Sequence, residues 1–315
     1  MSRPLAPVVA RFVTVSVTLS CFLRAQSALR WERAPTAARY RLTVTILAAK
    51  TNAFRALHVP GRPLLMPNPW DAGTAKLLTA MGFQALATTS SGHAATLGLL
   101  DGCVDRAEAL AHAASIVAAV DVPVSADLEN GFIESPGGVF DTVTSAAAVG
   151  LAGCSIEDFT GSAEAPIYDL GLAAERVAAA VEAAHAEPGL VLTARAENFV
   201  RGNPDLADTI ARLQAYQDAG ADVLYAPGLT DTDDVRRVVA SLDRPVNVLV
   251  RPGLASVAEL AQAGVARISV GGAFSQVALA ALTRAGRELL DEGTYGFMDL
   301  VAEGREQATA VFGLA

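Results

Sequence analysis

The chain has 315 residues and a formal net charge of −9, and hydrophobic residues make up 52% of it against 18% charged residues. This composition allows a large apolar core, in one large domain or two small ones. The part of the sequence that predicts a fold has no stripe of Lys and Arg, which argues against a nucleic-acid partner, because phosphates require clustered cations. An acidic protein that handles small metabolites fits better. Three scattered cysteines without a CxxC pair indicate a reducing, cytoplasmic compartment.

Residues 1–43 differ from the rest, because they contain seven arginines and one acidic residue, Glu32. The run Phe12–Leu23 is apolar but short of the about 20 residues that span a membrane. With its flanking arginines it imitates a secretory signal. The open alternatives are an organelle transit segment, or upstream sequence read from a misassigned start when the true chain begins near Val44. We therefore predict that residues 1–43 are an extension, disordered or misassigned, that does not belong to the fold.

From Pro63 onward, short apolar runs alternate eight times with helical stretches rich in alanine and leucine. Each run is bounded by Gly, Pro, Asp or Asn, a pattern typical of buried parallel strands. Several helical stretches end in a glycine, which closes a helix in the left-handed conformation. The predicted strands are Leu64–Asn68, Ala85–Ser90, Val122–Glu129, Gly153–Asp158, Val191–Glu197, Val223–Gly228, Pro245–Val250 and Arg267–Gly272. The predicted helices include Ala72–Met81, Asp105–Val120, Gly138–Val149, Leu172–Ala186, Pro204–Ala219 and Ser256–Ala263, and the closing glycines are Gly82, Gly150, Gly220 and Gly264.

Eight such units predict an α/β fold, a (β/α)8 TIM barrel, over residues 52–315. An open doubly wound sheet is the alternative, and the lack of a glycine-rich loop after the first strand counts against it. Two further helical stretches, Ala273–Asp291 and Met298–Phe312, follow the eighth strand. The barrel therefore has one C-terminal helix more than it needs.

Barrel enzymes carry their functional groups at the carboxyl ends of the strands, and this sequence places acids there. Asp127 and Glu129 end the third predicted strand, Glu157 ends the fourth, and Asp101 stands in the loop after the second. Asp127 and Glu129 are two apart, which on a strand puts both on one face. Carboxylates crowd a pocket when a cation neutralises them, and oxygen ligands without cysteine favour Mg²⁺ or Mn²⁺ over zinc. Any one of these acids could instead cap a helix or form a surface ion pair.

Groups that could bind an anion stand at the ends of two other predicted strands. Arg195, near the end of the fifth, offers a fixed and always charged fork for a carboxylate. Ser90, Ser91 and Gly92, after the second, can present backbone N–H groups to an anion. His93 follows them and is a candidate acid or base, with a surface position as the alternative. The other histidines, His58, His112 and His185, are interpreted as solvated.

Five blocks of sequence resemble, in order and spacing, the isocitrate lyase/phosphoenolpyruvate mutase family from Asn52 to Leu289. They read PNPWDAGTAKLLTAMGFQALATTSSG, SADLENGF, CSIEDF, LTARAENF and AYQDAGADVLYAPG. The resemblance implies a barrel enzyme that needs a divalent metal, Mg²⁺ or Mn²⁺. It implies metal ligands at Asp127 and Glu129, with Glu157 holding the ion through water and Asp101 as the acid of the second loop.

The same resemblance implies how a substrate is held and how the subunits assemble. Arg195 would grip a substrate carboxylate, and Thr89, Ser90 and Ser91, with Gly92 beside them, would bind the carboxylate and oxyanion of a 2-oxo or enol acid. The family's terminal helix swaps onto a partner subunit, within a homotetramer that is a dimer of helix-swapped dimers. The spare C-terminal helix is consistent with that arrangement.

The chain departs from the family in the loop after the fourth strand, which reads EDFTGSAEAPIYDLG from Glu157. Family lyases acting on isocitrate or methylisocitrate have a Cys and a His there, and the phosphonate enzymes have a Lys with an Asn or Thr. Residues 159–171 contain no Cys, His, Lys or Asn, although Thr160 is present. The resemblance therefore implies the family but neither of these activities.

The sequence leads to one preferred hypothesis and two alternatives. We expect a Mg²⁺-dependent lyase that cleaves a C–C bond of a small 2-oxo or 2-hydroxy carboxylic acid through an enolate, which metal, Arg195 and loop amides stabilise. The alternatives are an enzyme acting on a P–C bond, of the phosphoenolpyruvate mutase or phosphonopyruvate hydrolase type, and a barrel that binds a carboxylate without turnover. The proton donor stays open between Tyr168, Tyr225 and His93. We expect no nucleic-acid or membrane partner.

Overall fold

The computed structural model describes residues 36–313, and within them eight parallel strands form a nearly closed barrel. From β2 to β8 each strand pairs with the next one along the chain, and β1 pairs with β8 but not with β2. The barrel predicted from the sequence is therefore confirmed. The strands are β1 Leu64–Met66, β2 Leu86–Ala87, β3 Val124–Asp127, β4 Gly153–Glu157, β5 Val191–Arg195, β6 Val223–Tyr225, β7 Val246–Leu249 and β8 Arg267–Ser269.

Eleven α-helices are present in the described residues, and most of them lie between consecutive strands. The four predicted closing glycines all have positive φ, between 86° and 102°, which only glycine adopts readily. The helices are α1 Thr36–Ala56, α2 Ala72–Ala80, α3 Ser90–Thr96, α4 Arg106–Ala119, α5 Pro136–Ala148, α6 Leu170–His185, α7 Leu206–Asp218, α8 Thr232–Ala240, α9 Val257–Gln262, α10 Ala273–Arg287 and α11 Met298–Phe312.

The barrel is closed between β1 and β2 by a side chain as well as by the backbone. Ala87 N–H donates to Pro67 O at 3.1 Å. The Asn68 amide donates to Thr88 O at 2.9 Å, and its oxygen accepts from the N–H groups of Val270 and Gly271 at 3.0 and 2.9 Å. Asn68 is buried, so these bonds join the ends of β1, β2 and β8 out of water.

Helix α1 supplies a hydrophobic plug that the sequence analysis did not predict. Phe54 is fully buried and packs in a small cluster with residues of β1, β2 and β5. A Cβ at Gly153 would lie 2.8 Å from the Phe54 ring and 2.7 Å from Val191 O, so only glycine fits where this ring meets β4. Thr51 fixes the same segment, because its hydroxyl donates to Gly189 O at 2.9 Å.

Two helices differ from the sequence expectations. Helix α1 begins inside the predicted extension, at the first described residue, and helix α3 lies where a loop was expected after the second strand. The strands are shorter than predicted, and β2 in particular ends at Ala87, because Thr89 caps α3 through the bond from Gly92 N–H to its Oγ1. Ser90, Ser91 and Gly92 therefore lie in the first turn of a helix rather than in a loop.

The two C-terminal helices expose a large apolar surface. No residue of α11 is buried, and only Ser275 is buried in α10. Large apolar side chains that are at least partly exposed include Val277, Leu282, Leu290, Tyr295 and Leu300. None of the helices in residues 36–313 combines the length and the apolar content that crossing a membrane requires.

Residues 1–35 lie outside the described residues, so the dispensable extension stays a prediction. A chain beginning at Val44 should keep the thermal midpoint and activity of the full chain, because it retains Thr51, Phe54 and the entire barrel. As a matched control, Phe54→Ala in the full chain should lose about 3–5 kcal/mol of unfolding free energy by opening a cavity. A collapse in solubility, or a fall in midpoint as large as that of the control, would contradict the prediction for the shorter chain.

Candidate active site

The carboxyl ends of β3, β4 and β5 bring three of the predicted site residues into direct contact. Asp127, Glu157 and Arg195 are the last residues of these adjacent strands. In the parallel register Glu157 stands opposite Arg195, and Asp127 stands opposite Ser155 on β4. The charged groups therefore meet because neighbouring parallel strands end at the same edge of the barrel.

Arg195 forms ion pairs with three carboxylates at once. Its Nη1 lies 2.9 Å from Asp127 Oδ1, and its Nη2 lies 2.8 Å from Glu157 Oε2. Its Nε and Nη2 donate to Glu197 Oε1 at 3.0 and 2.8 Å. The Tyr225 ring stacks against the guanidinium group with 5.2 Å from Cζ to the ring centroid. These contacts occupy most of the guanidinium donors and fix the group rigidly.

Arg201 is a second cation at the mouth that the sequence analysis did not single out. Its Nη2 lies 3.6 Å from Glu157 Oε1, and its Nε lies 3.4 Å from Glu197 Oε2 without hydrogen-bond geometry. Its guanidinium carbon stacks 3.4 Å from the centroid of the Phe159 ring. The residue is in the turn after β5 and carried no motif of its own.

Hydrogen bonds from β2 and α3 orient Asp127. Its backbone N–H donates to Thr88 Oγ1 at 2.9 Å, and its Oδ2 accepts from Ser90 Oγ at 3.1 Å. Its Oδ1 accepts from the Glu129 N–H at 3.3 Å in addition to the Arg195 pair. The Asp127 carboxylate is thereby held between the Ser90 hydroxyl group and the Arg195 guanidinium group.

Glu129 does not lie on a strand, and the expectation that it shares a strand face with Asp127 is wrong. Strand β3 ends at Asp127, and Glu129 has φ 48°, a left-handed conformation that side chains rarely adopt. Burial is the main cause that raises the pKa of Glu129 to about 7, and the charges of Asp127 and Asp101 contribute to the same shift. Asp101 itself is exposed and lines the same cavity as Glu129.

The mouth carries more negative than positive charge. Asp127, Glu157 and Glu197 face Arg195 and Arg201, so three carboxylates meet two guanidinium groups before Glu129 and Asp101 are counted. Burial raises the pKa of Glu157 well above its usual range, although Arg195 opposes the shift. Uncompensated carboxylate charge is the chemistry that a hard divalent cation satisfies.

The predicted metal ligands are near one another but are not assembled around a single point. Within residues 36–313, no three His, Cys, Asp or Glu side chains are arranged to surround one ion. Asp127 and Glu157 do not converge on one point because each forms an ion pair with a different nitrogen of Arg195. The oxygen donor set and its excess charge nevertheless fit Mg²⁺ or Mn²⁺.

The segment from Thr89 to Gly92 is packed tightly against the loop after β8. Thr89 Oγ1 and Ser91 Oγ lie 3.2 Å apart, and a Cβ at Gly272 would lie 2.4 Å from Ser91 Oγ. A Cβ at Gly92 would lie 2.5 Å from the Thr89 methyl group. Both glycines are therefore required by close approach, and the hydroxyl groups are held at the barrel mouth.

Two cavities meet this cluster. The inner one has a volume of about 170 Å³, and both strand-end and interior residues of the barrel line it. They include Ser90, Ser91, Asp127, Arg195, Tyr225 and Arg267. The outer one, of about 1290 Å³, is lined by Asp101, Glu129, Glu157, Thr160, Tyr168 and Arg201 among others. Three of the predicted acids and the loop after β4, where the chain departs from the family, therefore line the outer cavity together.

The three candidate proton donors occupy different places. Tyr225 lines the inner cavity beside Arg195, and burial raises its pKa to about 12. Tyr168 lines the outer cavity. His93 is a buried residue of α3, and its ring stacks on His112 with 3.8 Å between centroids. The interpretation of His58 and His112 as solvated is wrong, because both are buried, whereas the His185 side chain is 44% exposed.

Arg176 on α6 holds the loop that contains Glu129, and nothing in the sequence marked it. It is 1% exposed, donates to Ile133 O at 2.7 Å and also donates to the carbonyls of Asn130 and Glu134. Its guanidinium carbon lies 4.4 Å from the centroid of the Tyr168 ring. One side chain thus ties the loops after β3 and β4 to helix α6.

Comparison with protein families gives a clear match. The family model described as phosphoenolpyruvate phosphomutase matches residues 54–290. An uncharacterized protein of Mycobacterium tuberculosis is 35% identical over 240 residues, which are 76% of this chain and 89% of that one. The 2-methylisocitrate lyase of Salmonella typhimurium is 32% identical over 203 residues, or 62% of this chain and 68% of that one.

Solved structures agree with this match. A Burkholderia cenocepacia protein described as a lyase/mutase is 52% identical and has a TM-score of 0.80, covering 84% of this chain and 95% of that one. The structure of 2,3-dimethylmalate lyase is 28% identical with a TM-score of 0.70, covering 78% and 89% of the two chains. The resemblance stated from the five sequence blocks is confirmed.

We predict that Arg176→Met loosens the loop around Glu129, because three carbonyl groups lose bonds to a charged donor, which contribute about 1.5–3 kcal/mol each. Amide hydrogen exchange in residues 129–134 should accelerate at least about tenfold while the strands stay protected. Arg237→Met, at an exposed arginine paired only with Asp234, serves as the control and should change neither. Unchanged exchange in the loop of the Arg176 variant would show that other contacts hold it.

Proposed function

The chain belongs to the phosphoenolpyruvate phosphomutase family and is an enzyme, and from this premise we propose that it is a Mg²⁺- or Mn²⁺-dependent lyase that cleaves a C–C bond in a small 2-oxo or 2-hydroxy carboxylic acid. The observation that carries the proposal is the cluster of strand-end carboxylates around Arg195, beside the hydroxyl groups of Thr89 and Ser91. The names of the relatives support it, since 2-methylisocitrate lyase, 2,3-dimethylmalate lyase and oxaloacetate decarboxylase all denote small-acid substrates.

Asp127, Glu129 and Glu157 are the residues that would hold the divalent ion, with Asp101 facing it from the rim. The excess of carboxylate over guanidinium groups favours a cation here, and the charges of Asp127 and Asp101 add to the effect of burial in raising the pKa of Glu129. A bound Mg²⁺ would supply Lewis-acid polarisation of the substrate's carboxylate and adjacent oxygen. Side chains and backbone groups of the protein would perform the remaining steps.

Arg195 and the α3 segment would stabilise the negative charge that develops as the C–C bond breaks. In a 2-hydroxy acid the hydroxyl group loses its proton and becomes a carbonyl, while the electron pair of the breaking bond passes to the neighbouring carbon and is delocalised as an enolate. Donors that are already fixed in place stabilise such a charge without reorganisation, and Arg195 is fixed by its three ion pairs. The backbone N–H groups of Ser90 and Ser91, in the first turn of α3, are further candidate donors to this charge.

Tyr225 is the candidate that fits best as the proton donor to the enolate carbon. It lines the inner cavity together with Arg195, and with a pKa of about 12 it keeps its proton at neutral pH. Transfer of the phenol proton to carbon completes the cleaved product, and the proton that the substrate's hydroxyl group loses returns to the phenolate through water. His93 is less suited, because its buried ring stacks on His112 and does not line the inner cavity.

A P–C bond reaction is the second candidate, and the family model named for phosphoenolpyruvate phosphomutase favours it. The loop over residues 159–171 lacks the lysine and asparagine of the phosphonate enzymes, so the C–C reaction is preferred. Thr160 does not supply the missing groups, because its hydroxyl is bonded to Ala165 O at 2.7 Å within its own loop.

We also propose that the protein is a homo-oligomer in which the C-terminal helices pack on a second copy. The exposed apolar side chains of α10 and α11 support this, because a helix gains stability by burying its apolar face. A dimer of helix-swapped dimers would cover this surface, and a cytoplasmic enzyme is the expected setting. Sedimentation equilibrium that gives a monomer at micromolar concentration would exclude the assembly.

The function is tested by incubating the full chain with 2-oxo and 2-hydroxy mono- and diacids and with phosphonopyruvate, and following the products by NMR. We expect C–C cleavage of at least one 2-oxo or 2-hydroxy acid, abolished by EDTA and restored by Mg²⁺ or Mn²⁺ without a need for zinc. Turnover of phosphonopyruvate alone would favour the second candidate. Full activity in a demetallated sample would exclude the metal-dependent reaction.

Arg195→Lys should reduce catalysis although it keeps the charge. An ammonium group is a point donor and cannot replace a fork that contacts several oxygens. The fall in kcat/KM should correspond to a loss of about 2–4 kcal/mol of transition-state stabilisation. The opposing hypothesis is that Arg195 only neutralises Glu157 and Glu197. That hypothesis predicts a lower melting temperature with near-normal kinetics per folded molecule, so both quantities must be measured on this variant.

A further inference from the structure

Arg267, the first residue of β8, is a buried cation without an acidic partner among the described residues. It is 3% exposed, and its three bonded partners are all neutral. Its Nε donates to Asn247 Oδ1 at 3.0 Å, its Nη2 donates to Thr193 Oγ1 at 3.1 Å, and its Nη1 lies 3.2 Å from His58 Nε2. A buried charge is costly unless an opposite charge and hydrogen bonds compensate it.

His58 cannot provide that compensation, because it is neutral. Its Nδ1 lies 2.9 Å from Phe54 O and must carry the proton, which leaves Nε2 as the acceptor for Arg267. Burial, and then the charge of Arg267, lower the pKa of His58 to about 3. Burial also lowers the pKa of Arg267 to about 10, so the guanidinium is still charged at neutral pH.

The two arginines that border the inner cavity are in opposite electrostatic situations. Arg195 already pairs with three carboxylates, whereas Arg267 pairs with none in residues 36–313. A guanidinium group has five N–H donors, and three of those of Arg267 have partners in the described residues. Of the two, Arg267 is therefore the one whose positive charge has no acidic partner in residues 36–313, and an incoming anion would compensate it.

The cavity wall near Arg267 is polar, which is unusual for a barrel interior. TIM barrels are ordinarily filled by branched apolar side chains. Here Ser125, Ser155, Tyr225, Asn247 and Ser269 line the inner cavity together with Arg267. Asn247 is held in place by its bond to Ser269 Oγ at 3.0 Å. About 170 Å³ of polar space is enough for a small organic acid.

We infer that Arg267 and these polar side chains form an anion subsite inside the barrel, which binds one carboxylate of a small dicarboxylate substrate. The other carboxylate then stays at the mouth, where the Thr89–Ser91 segment and the metal-binding acids stand. This inference rests on the proposed function and names its substrate class, because it makes the enzyme selective for diacids over monoacids. Arg267 acts here as a specificity-determining residue rather than as a residue that touches the reacting bond.

The test is a calorimetric titration of the full chain with malonate and with propionate, in the presence of Mg²⁺. Neither acid can be cleaved by the proposed reaction, so binding is measured without turnover. We expect the wild type to bind malonate at least tenfold more tightly than propionate. In Arg267→Met the affinity for malonate should fall at least tenfold, and the affinity for propionate should change less than twofold.

Asn247→Asp is a second variant that keeps Arg267 and does not depend on the folding of Arg267→Met. It places a carboxylate 3.0 Å from Arg267 Nε, so the buried pair becomes self-neutralised and malonate binding should again fall at least tenfold. Arg244→Met, at an exposed arginine, is the matched control and should bind malonate like the wild type.

Malonate affinity that stays within twofold of the wild type in Asn247→Asp, or no preference for malonate in the wild type, would overturn the subsite. These outcomes are separate from failure of the proposed function. A protein that selects malonate through Arg267 but cleaves no acid retains the subsite and loses the lyase assignment. A protein that cleaves acids without this selectivity retains the lyase assignment and loses the subsite.

Discussion

The ion pairs of Arg195 are the constraint on which the site depends. Three carboxylates that are mostly withdrawn from water could not stand so close together without a cation between them. The barrel supplies that cation from β5, directly opposite Glu157 on β4, so the register of two strands fixes the charge arrangement. The surrounding bonds, from Ser90 to Asp127 and from Glu197 N–H to Asp158 Oδ1 at 2.8 Å, orient the partners rather than neutralise them.

The site is consequently acidic at the mouth and basic inside. At the mouth the carboxylates outnumber the guanidinium groups, which favours a divalent cation. Deeper in the same cavity Arg267 has neutral partners only, which favours an anion. A metal-chelating acid with a second carboxylate matches both ends of this gradient, and a monoacid matches only one.

Much of this arrangement could be predicted from the sequence because a βα rhythm fixes where strands end. Asp127, Glu157 and Arg195 were placed at strand ends by that rhythm, and each is the last residue of its strand. Glu129 could not be placed correctly, since the chain leaves β3 at Asp127 and turns into a left-handed conformation that an alternating pattern does not reveal. Helix α3 was missed because Ser-Ser-Gly is typical of a loop, and its helical start depends on the cap at Thr89.

Arg176 and Arg267 could not be recognised from the sequence, because their partners are distant in sequence. Arg176 lies in a helix with ordinary helical periodicity, and its carbonyl partners are more than 40 residues away. Arg267 looks like a polar strand terminus, and its contact with His58 joins residues 209 apart. Helix α1 carries no glycine or proline signal, and its arginines had suggested a targeting segment instead.

The central claim is that the charge excess around Arg195 is a divalent-cation site coupled to a carboxylate ligand. Titration with Mn²⁺ followed by electron paramagnetic resonance tests it most directly, since free and bound Mn²⁺ give different signals. We predict one bound Mn²⁺ per chain, with binding that weakens at least about tenfold in Asp127→Asn. Mn²⁺ should also bind more tightly when malonate is present, as thermodynamic linkage requires. The absence of saturable binding, or equal Mn²⁺ affinity in the wild type and Asp127→Asn, would contradict it.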